Sequence, residues 1–541
     1  MKKVRRITAV FLAVILLSVS LVPVASAQSE VDPSEGTMQK IEAKFYMLVD
    51  KLIYVVGRVL NTFIPGLDWG KRWQNYDDYE TPDEFYGGES DFHKQVQPDA
   101  TWSMGYAYAS LLEGIDVLNG EYYMAGALEA VKGRVPTEIL DDQGVSVYAV
   151  SDGVSGIAVQ AVIDGFGIAR ADVLKIRENL SDFAKENDII SLNVSVLHQH
   201  SAIDTLGMGV PLLPGLMLNP GMIIMGVNKS EFISGKNQKF MENLYEVVTQ
   251  SVINAVNDMS EGVLYYGSAD ASELMYDKRE PVGFDGEIHR FRFDPYNADK
   301  DEIWVCDAGI HCTGLGGSGT ELSADFPYYF KEHIKNTVGA DVVYVQGAEL
   351  AITAERENLE YEETARNSEI KAYGIELAEK VLEIKNETAL DPVMNVKFNE
   401  VTIEPDNQIL ILAVRLGIVD SVVTKKGTGY ALITEIGYME LGNKVGIAFV
   451  PGEIAPEILW GGAVSEELSW TNQNWNYEPL QQTAGVDTLI CVGLNNDQIG
   501  YILTDNDIRS MLTENEEVNV CSDDTGSVIT QAFEKLIQSV K

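Results

Sequence analysis

The stretch Ile189-Ile190-Ser191-Leu192-Asn193-Val194-Ser195-Val196-Leu197-His198-Gln199-His200 decides how the rest of the chain is read. Residues 189–196 alternate as in a half-buried strand, with Leu192, Val194 and Val196 on one face and Ser191, Asn193 and Ser195 on the other. His198 and His200 continue the apolar face, so the alternation predicts two imidazoles leaving one strand end in the same direction. The chain has six histidines in 541 residues, and two of them stand here. Neutral ring nitrogens aimed together suit a metal ion or a scissile bond.

The segments around this strand mix helices and strands. Ala171–Glu186 reads as the preceding helix, and 146–150 and 156–162 read as strands paired across Ser151-Asp152-Gly153. Helices are predicted over 239–259, 324–338 and 356–385. Strands are predicted over 302–306, 341–345, 409–416, 431–438, 445–450 and 488–492. The fold class is therefore mixed α/β, with mixed sheets flanked by helices, and no repeat period interrupts it. Before it, residues 38–64 place Ile41, Phe45, Leu48, Leu52, Val55, Val56, Val59 and Phe63 at helical spacing. Such a helix either docks on the protein's own core or rests on a membrane surface. The span 68–101, rich in Trp, Tyr, Asp and Gly, reads as an irregular segment at the rim of a cleft.

Residues 1–27 carry the marks of a secretory signal peptide: Lys2, Lys3, Arg5 and Arg6, then an apolar run, then Ala25-Ser26-Ala27. A secreted, extracellular chain follows, with residues 28–101 as an N-terminal segment and 102–541 as one catalytic domain. The formal net charge is −42, which argues against nucleic acid as a partner. Export permits disulfides among the four cysteines, and the local pairs Cys306–Cys312 and Cys491–Cys521 are favoured.

Three further strand ends carry metal-binding or acid–base side chains. His311 follows the 302–306 strand. Glu453 follows the apolar run Val445–Val450 and the turn Pro451-Gly452, and Tyr501 follows the strand at 488–492. No G-x-S-x-G elbow accompanies them, which disfavours a serine hydrolase. The loop Gly314–Thr320 has no lysine after it and is a poor phosphate cradle.

Together these pieces resemble the neutral/alkaline, non-lysosomal ceramidases, in family order from about residue 122 to 507. Leu197-His198-Gln199-His200-Ser201 is similar to the family's T-H-T-H-S signature, after the strand and turn Ala161–Ile168. Asp277–Pro281 with His289–Asp294 is similar to the R-x-P…L-R-F-D segment. His311-Cys312-Thr313 with Ser323–Pro327 is similar to H-P-T…S-x-D-x-P, and Val450–Glu453 and Gly500-Tyr501 are similar to the late motifs.

The resemblance implies a catalytic domain that binds zinc through His198, His311, Glu453 and Tyr501. His200 would orient or protonate from behind the ligands. Arg279 would neutralise an oxyanion or hold a headgroup, or else form a salt bridge. The implied activity is hydrolysis of the amide of ceramide or a related N-acyl lipid by metal-activated water. The alternatives are a zinc hydrolase of the same fold acting on another amide or ester, and a non-catalytic lipid- or glycan-binding relative. The chain departs from the family at Gln346–Ala354, where the Gly-Asp turn is lost and a hydroxyl survives only near Thr353. It also departs at Cys312, where the family has proline, and no C-terminal β-sandwich is expected.

Overall fold

The computed structural model describes residues 38–69, 73–89, 91–126, 133–209, 212–316, 319–354, 366–511 and 516–541. The signal-peptide reading of 1–27 and the start of the predicted 356–385 helix lie outside them. Helix α1 (Met38–Phe63) forms where the apolar period places it. The eight long strands of the larger sheet are β1 (Trp102–Ser110), β2 (Gly144–Ser151), β3 (Ile157–Ile163), β4 (Ile189–Val196), β5 (Ser260–Asp270), β6 (Glu287–Pro295), β7 (Ile303–Ala308) and β8 (Asp341–Gln346). Their order is β8-β7-β6-β5-β1-β2-β3-β4, with the short strand Thr388–Ala389 beside β5. The terminal pairs β3–β4 and β7–β8 are parallel, and the pairs between them are antiparallel.

Parallel pairs need crossovers, and helices supply them. α2 (Arg170–Asn179) and α3 (Ser181–Glu186) connect β3 to β4, breaking at Leu180 the single helix expected over 171–186. Farther on come α4 (Leu212–Met225) and α5 (Gln238–Asn257); α5 covers β1–β3, burying Phe240, Leu244, Val248 and Val252. α6 (Asp325–Val338) connects β7 to β8, and α7 (Arg366–Leu382) packs beside it.

Residues 409–416 are a correction, because they form helix α8 (Gln408–Arg415) and not a strand. The Asn407 side chain accepts from the N–H groups of Ile409 (3.1 Å) and Leu410 (3.3 Å), a helix N-cap. Ile411, Leu412 and Arg415 are then buried on one face, so the cap and the period of burial override the β-branched run.

A second sheet holds β9 (Met394–Ile403), β10 (Val423–Lys426), β11 (Gly429–Leu441), β12 (Val445–Phe449) and β13 (Thr488–Val492). Its residues alternate between two cores. Val445, Ile447 and Phe449 share a core with the larger sheet, whereas Ala448, Leu489 and Cys491 face Phe533 and Leu536 of the C-terminal helix Thr525–Val540. The architecture is thus helix, sheet, sheet, helix.

This stacking changes how β4 is read. It is buried on both faces, and Ser191 and Ser195 are inaccessible. Its polar face meets the loop after β13. Asn193 Oδ1 accepts from Asn496 Nδ2 at 2.9 Å, and the Val194 N–H donates to Asn496 Oδ1 at 2.8 Å. A buried polar face is tolerated because it is hydrogen-bonded.

The aromatic segment 68–101 packs on the same side of the molecule as the second sheet's strands. Tyr79 and Thr81 donate to Glu400, and Trp73 meets Tyr430 edge-on, so its described residues run along the second sheet. All four cysteines are free and buried, which overturns both favoured disulfides. Cys306 and Cys312 sit in one apolar core and Cys491 and Cys521 in another, each acting as a small apolar side chain.

Candidate metal centre

Strand β4 ends at Val196, so the histidines do not continue its alternation. His198 takes a left-handed conformation (φ 57°) that turns the chain, and its imidazole nevertheless comes to rest 4.8 Å from that of His200. The His198 ring stacks on Phe166 at 4.4 Å, and its Nδ1 lies 2.7 Å from the Phe166 carbonyl oxygen. That contact fixes Nδ1–H as the donor and leaves Nε2 free as a ligand.

Backbone bonds stitch the other strand ends to this point. The His200 N–H donates to Cys312 O (3.2 Å), and the His311 N–H donates to Ile352 O (2.8 Å). Gly493 N–H donates to Gln346 O (2.8 Å), joining the ends of β13 and β8. Glu453 and Tyr501 are direct neighbours in a two-residue parallel pair.

The result is a buried cluster. Glu453 Oε2 lies 3.4 Å from His198 Nε2 and 3.1 Å from His311 Nε2, and its Oε1 accepts from Gln498 Nε2 at 2.9 Å. Ligand atoms of His198, His311, Glu349 and Glu453 all lie within 4.8 Å of one another, as do those of His198, His200 and His311. The sequence-predicted residues His198, His200, His311 and Glu453 therefore meet. Tyr501 joins them through a hydrogen bond to the Glu453 carboxylate. Thr353 is brought alongside as well, since its backbone bridges to His311.

Arg279 is different. Its guanidinium donates to Glu517 Oε1 (2.8 Å) and to the Asp507 carbonyl (2.8 Å), with the Asp507 carboxylate at 3.7 Å. Its charge is neutralised there, so the salt-bridge reading is the one the structure contains, buried and not on the surface.

Glu349 was not anticipated. It is inaccessible to solvent and neither carboxylate oxygen has a hydrogen-bond partner. Its signal was present: Gln346-Gly347-Ala348-Glu349 ends a strand as Val450-Pro451-Gly452-Glu453 does. Burial, and then Glu453 beside it, push the Glu349 carboxyl well above its ordinary range. Burial lowers His198 to about 4, and burial with the neighbouring histidines lowers His200 further from its usual value. The His198 and His200 imidazoles are neutral at pH 7, as ligands must be.

The unpartnered atoms test the fit of a metal. His200 Nε2, His311 Nδ1 and both Glu349 oxygens are buried without hydrogen bonds. Among the described residues no lysine or arginine pairs with Glu349 or Glu453. Two buried carboxylates without a cation cost several kcal/mol each, roughly, and a divalent ion among N and O donors removes that cost. The residues fit such an ion.

No family model matches the chain, and no curated protein does. Among solved structures it is similar to the neutral ceramidase from Pseudomonas aeruginosa, at 14% identity and a TM-score of 0.57, over 81% of this chain and 74% of that one. It is similar to a ceramidase complexed with C2 at 12% identity and the same TM-score, over 81% and 75%.

The chain has a neutral ceramidase-like fold.

Within that fold, the H-x-H, H-C-T and P-G-E segments quoted from the sequence converge on one site. The cluster stands where the parallel pairs β3–β4, β7–β8 and β12–β13 release their chains, the usual place for a site in such sheets.

Proposed function

We propose that this protein is a secreted, zinc-dependent amidohydrolase that cleaves the N-acyl amide of ceramide or a related N-acyl lipid. The observation that carries the proposal is the buried His198–His311–Glu453 cluster, with uncompensated donors and acceptors around it. His198, His311, Glu453 and Tyr501 would hold the ion. Zinc bound there supplies a water of near-neutral pKa and polarises the amide carbonyl.

The chain's own groups do the rest. Phe166 and Glu453 hold the His198 ring from two sides. His200 presents an unpartnered, neutral Nε2 toward the cluster, placed to take or return a proton. Gln498 holds the Glu453 carboxylate, and Thr353 offers a hydroxyl on the strand beside His311.

Access to a lipid substrate is supported by α1. Leu48, Leu52, Val55, Val59 and Phe63 form an exposed stripe along it, and Met217, Leu218, Ile224 and Met225 are exposed on α4. Residues 38–64 would rest this surface on a membrane. Among the described residues no helix is long and apolar enough to cross one.

The changed turn near Ala348, in the stretch Gln346–Ala354 where the family's Gly-Asp is lost, favours a second reading: a hydrolase of the same fold acting on a different amide or ester. One experiment separates the two. The zinc-loaded full chain is assayed for fatty-acid release from ceramide, beside His198→Ala. Release by the wild type alone supports the first reading. Zinc bound without release from any N-acyl lipid sinks it and leaves the second.

A further inference from the structure

His311 can turn only one ring nitrogen to an ion. Its Nε2 faces Glu453 at 3.1 Å, on the side where His198 Nε2 also points. Nδ1 is therefore the nitrogen left over, and it is buried with no partner. The carboxylate nearest to it is Glu349, whose Oε2 stands 3.9 Å away.

We infer that Glu349 is a positioning residue of the metal centre: it accepts the Nδ1–H of His311 and thereby fixes which ring nitrogen His311 turns to the ion. The inference rests on the metal-centre reading above and adds a role that the four-ligand set does not contain.

Local structure holds the two residues in register. The Ile352 N–H donates to Glu349 O at 2.5 Å, and the His311 N–H donates to Ile352 O at 2.8 Å, so one tight turn ties both backbones together. The loops carrying them pass at van der Waals distance. A Cβ on Gly309 would stand 2.3 Å from Ala348 O, and one on Gly347 would stand 2.7 Å from Gly309 N. Both glycines are required by that approach, which leaves Glu349 against the His311 ring. Closing 3.9 Å to a hydrogen bond takes a shift of about 1 Å, within reach of a glutamate rotamer adjustment. The bond would satisfy His311 Nδ1 and one Glu349 oxygen together.

A carboxylate behind a metal-bound histidine fixes its tautomer and ring plane and raises its basicity, and losing it typically weakens metal binding by about 10–100-fold. The test is zinc affinity of the full chain at pH 7, measured by competition with a chromophoric chelator. Glu349→Leu keeps volume and removes the acceptor, and should weaken binding by about 10–100-fold. Glu349→Gln retains an acceptor oxygen and should lose measurably less, and it keeps the test readable if the leucine variant does not fold. In a His311→Ala background, where only weak residual binding at raised zinc is left to read, Glu349→Leu should change that binding less than about twofold, because nothing is left to position.

Glu349→Leu and Glu349→Gln at wild-type affinity overturn the inference and leave the metal centre standing. An equal loss with and without His311 also overturns it and makes Glu349 an independent ligand. A wild-type chain that binds no zinc removes the metal centre itself, and the inference with it.

Discussion

Two buried charged clusters lie on either side of one loop, and they are built on opposite principles. In the first, Glu435 is clamped by Arg170 (2.5 Å) and Arg177 (2.7 Å), and Arg170 also holds Glu400 at 2.5 Å. Burial opposes the Glu435 charge, yet the two guanidiniums outweigh it and keep its pKa below the ordinary value. In the second, Glu349 and Glu453 are equally buried, and among the described residues no guanidinium or ammonium stands beside them. The loop 493–500 touches both: Asp497 accepts from the Arg170 N–H, and Gln498 donates to Glu453. A network whose buried charges are paired within the fold reads as structure. An unpaired one lacks a cation and reads as a site.

The contrast breaks first at the paired cluster. Glu435→Ala leaves Arg177 without its carboxylate and Arg170 with Glu400 alone, and should destabilise the fold by about 3–5 kcal/mol, with or without zinc, by urea denaturation. The same measurement on Glu453→Gln without metal should show a smaller loss, because no guanidinium or ammonium pairs with the wild-type carboxylate and glutamine keeps an acceptor for Gln498. Substantial destabilisation by Glu453→Gln would erase the distinction.

Added zinc gives the next largest effect. At a hundredfold excess over Kd, bound ion should stabilise the wild type by about 2.7 kcal/mol, visible as a rise in Tm. Glu435→Ala should keep that increment, whereas Glu453→Gln should lose it.

A third buried carboxylate refines the comparison through pH. Burial raises Asp307 to about 8, and its Oδ2 has no hydrogen-bond partner. The folded state thus holds a proton that the unfolded chain releases near the ordinary value of 3.8. Stability from this group is full below that value, declines as pH rises and levels off above about 8. Asp307→Asn should therefore melt like wild type near pH 4 and above it by roughly 1 kcal/mol or more at pH 9. A constant offset across pH would contradict this.

The smallest effect on stability is expected at α1. Leu52→Glu, on the exposed stripe, should alter folding by less than about 0.5 kcal/mol while reducing flotation with phospholipid vesicles. Unchanged flotation removes the membrane reading.

Much of this was legible in sequence because strand ends announce themselves. The alternation before His198, and the apolar runs before His311 and Glu453, located three donors that meet in space. Glu349 had the same announcement, but the missing Gly-Asp turn drew the reading on to Thr353. What could not be read was partnership across long separations. The polar face of β4 looked solvent-exposed because its partners, Asn495 and Asn496, lie about 300 residues later. Arg279 looked available because Glu517 lies 238 residues away. Ile409–Leu416 looked like a strand because β-branched composition masked the Asn407 cap.

The central claim is that the unpaired cluster is a metal site, and equilibrium dialysis of the full chain against zinc at pH 7 tests it most directly. The account predicts one tightly held ion per chain, lost in His198→Ala and in Glu453→Gln and retained in Cys306→Ala. A wild-type chain that retains no zinc, or one whose zinc survives both substitutions, would contradict it.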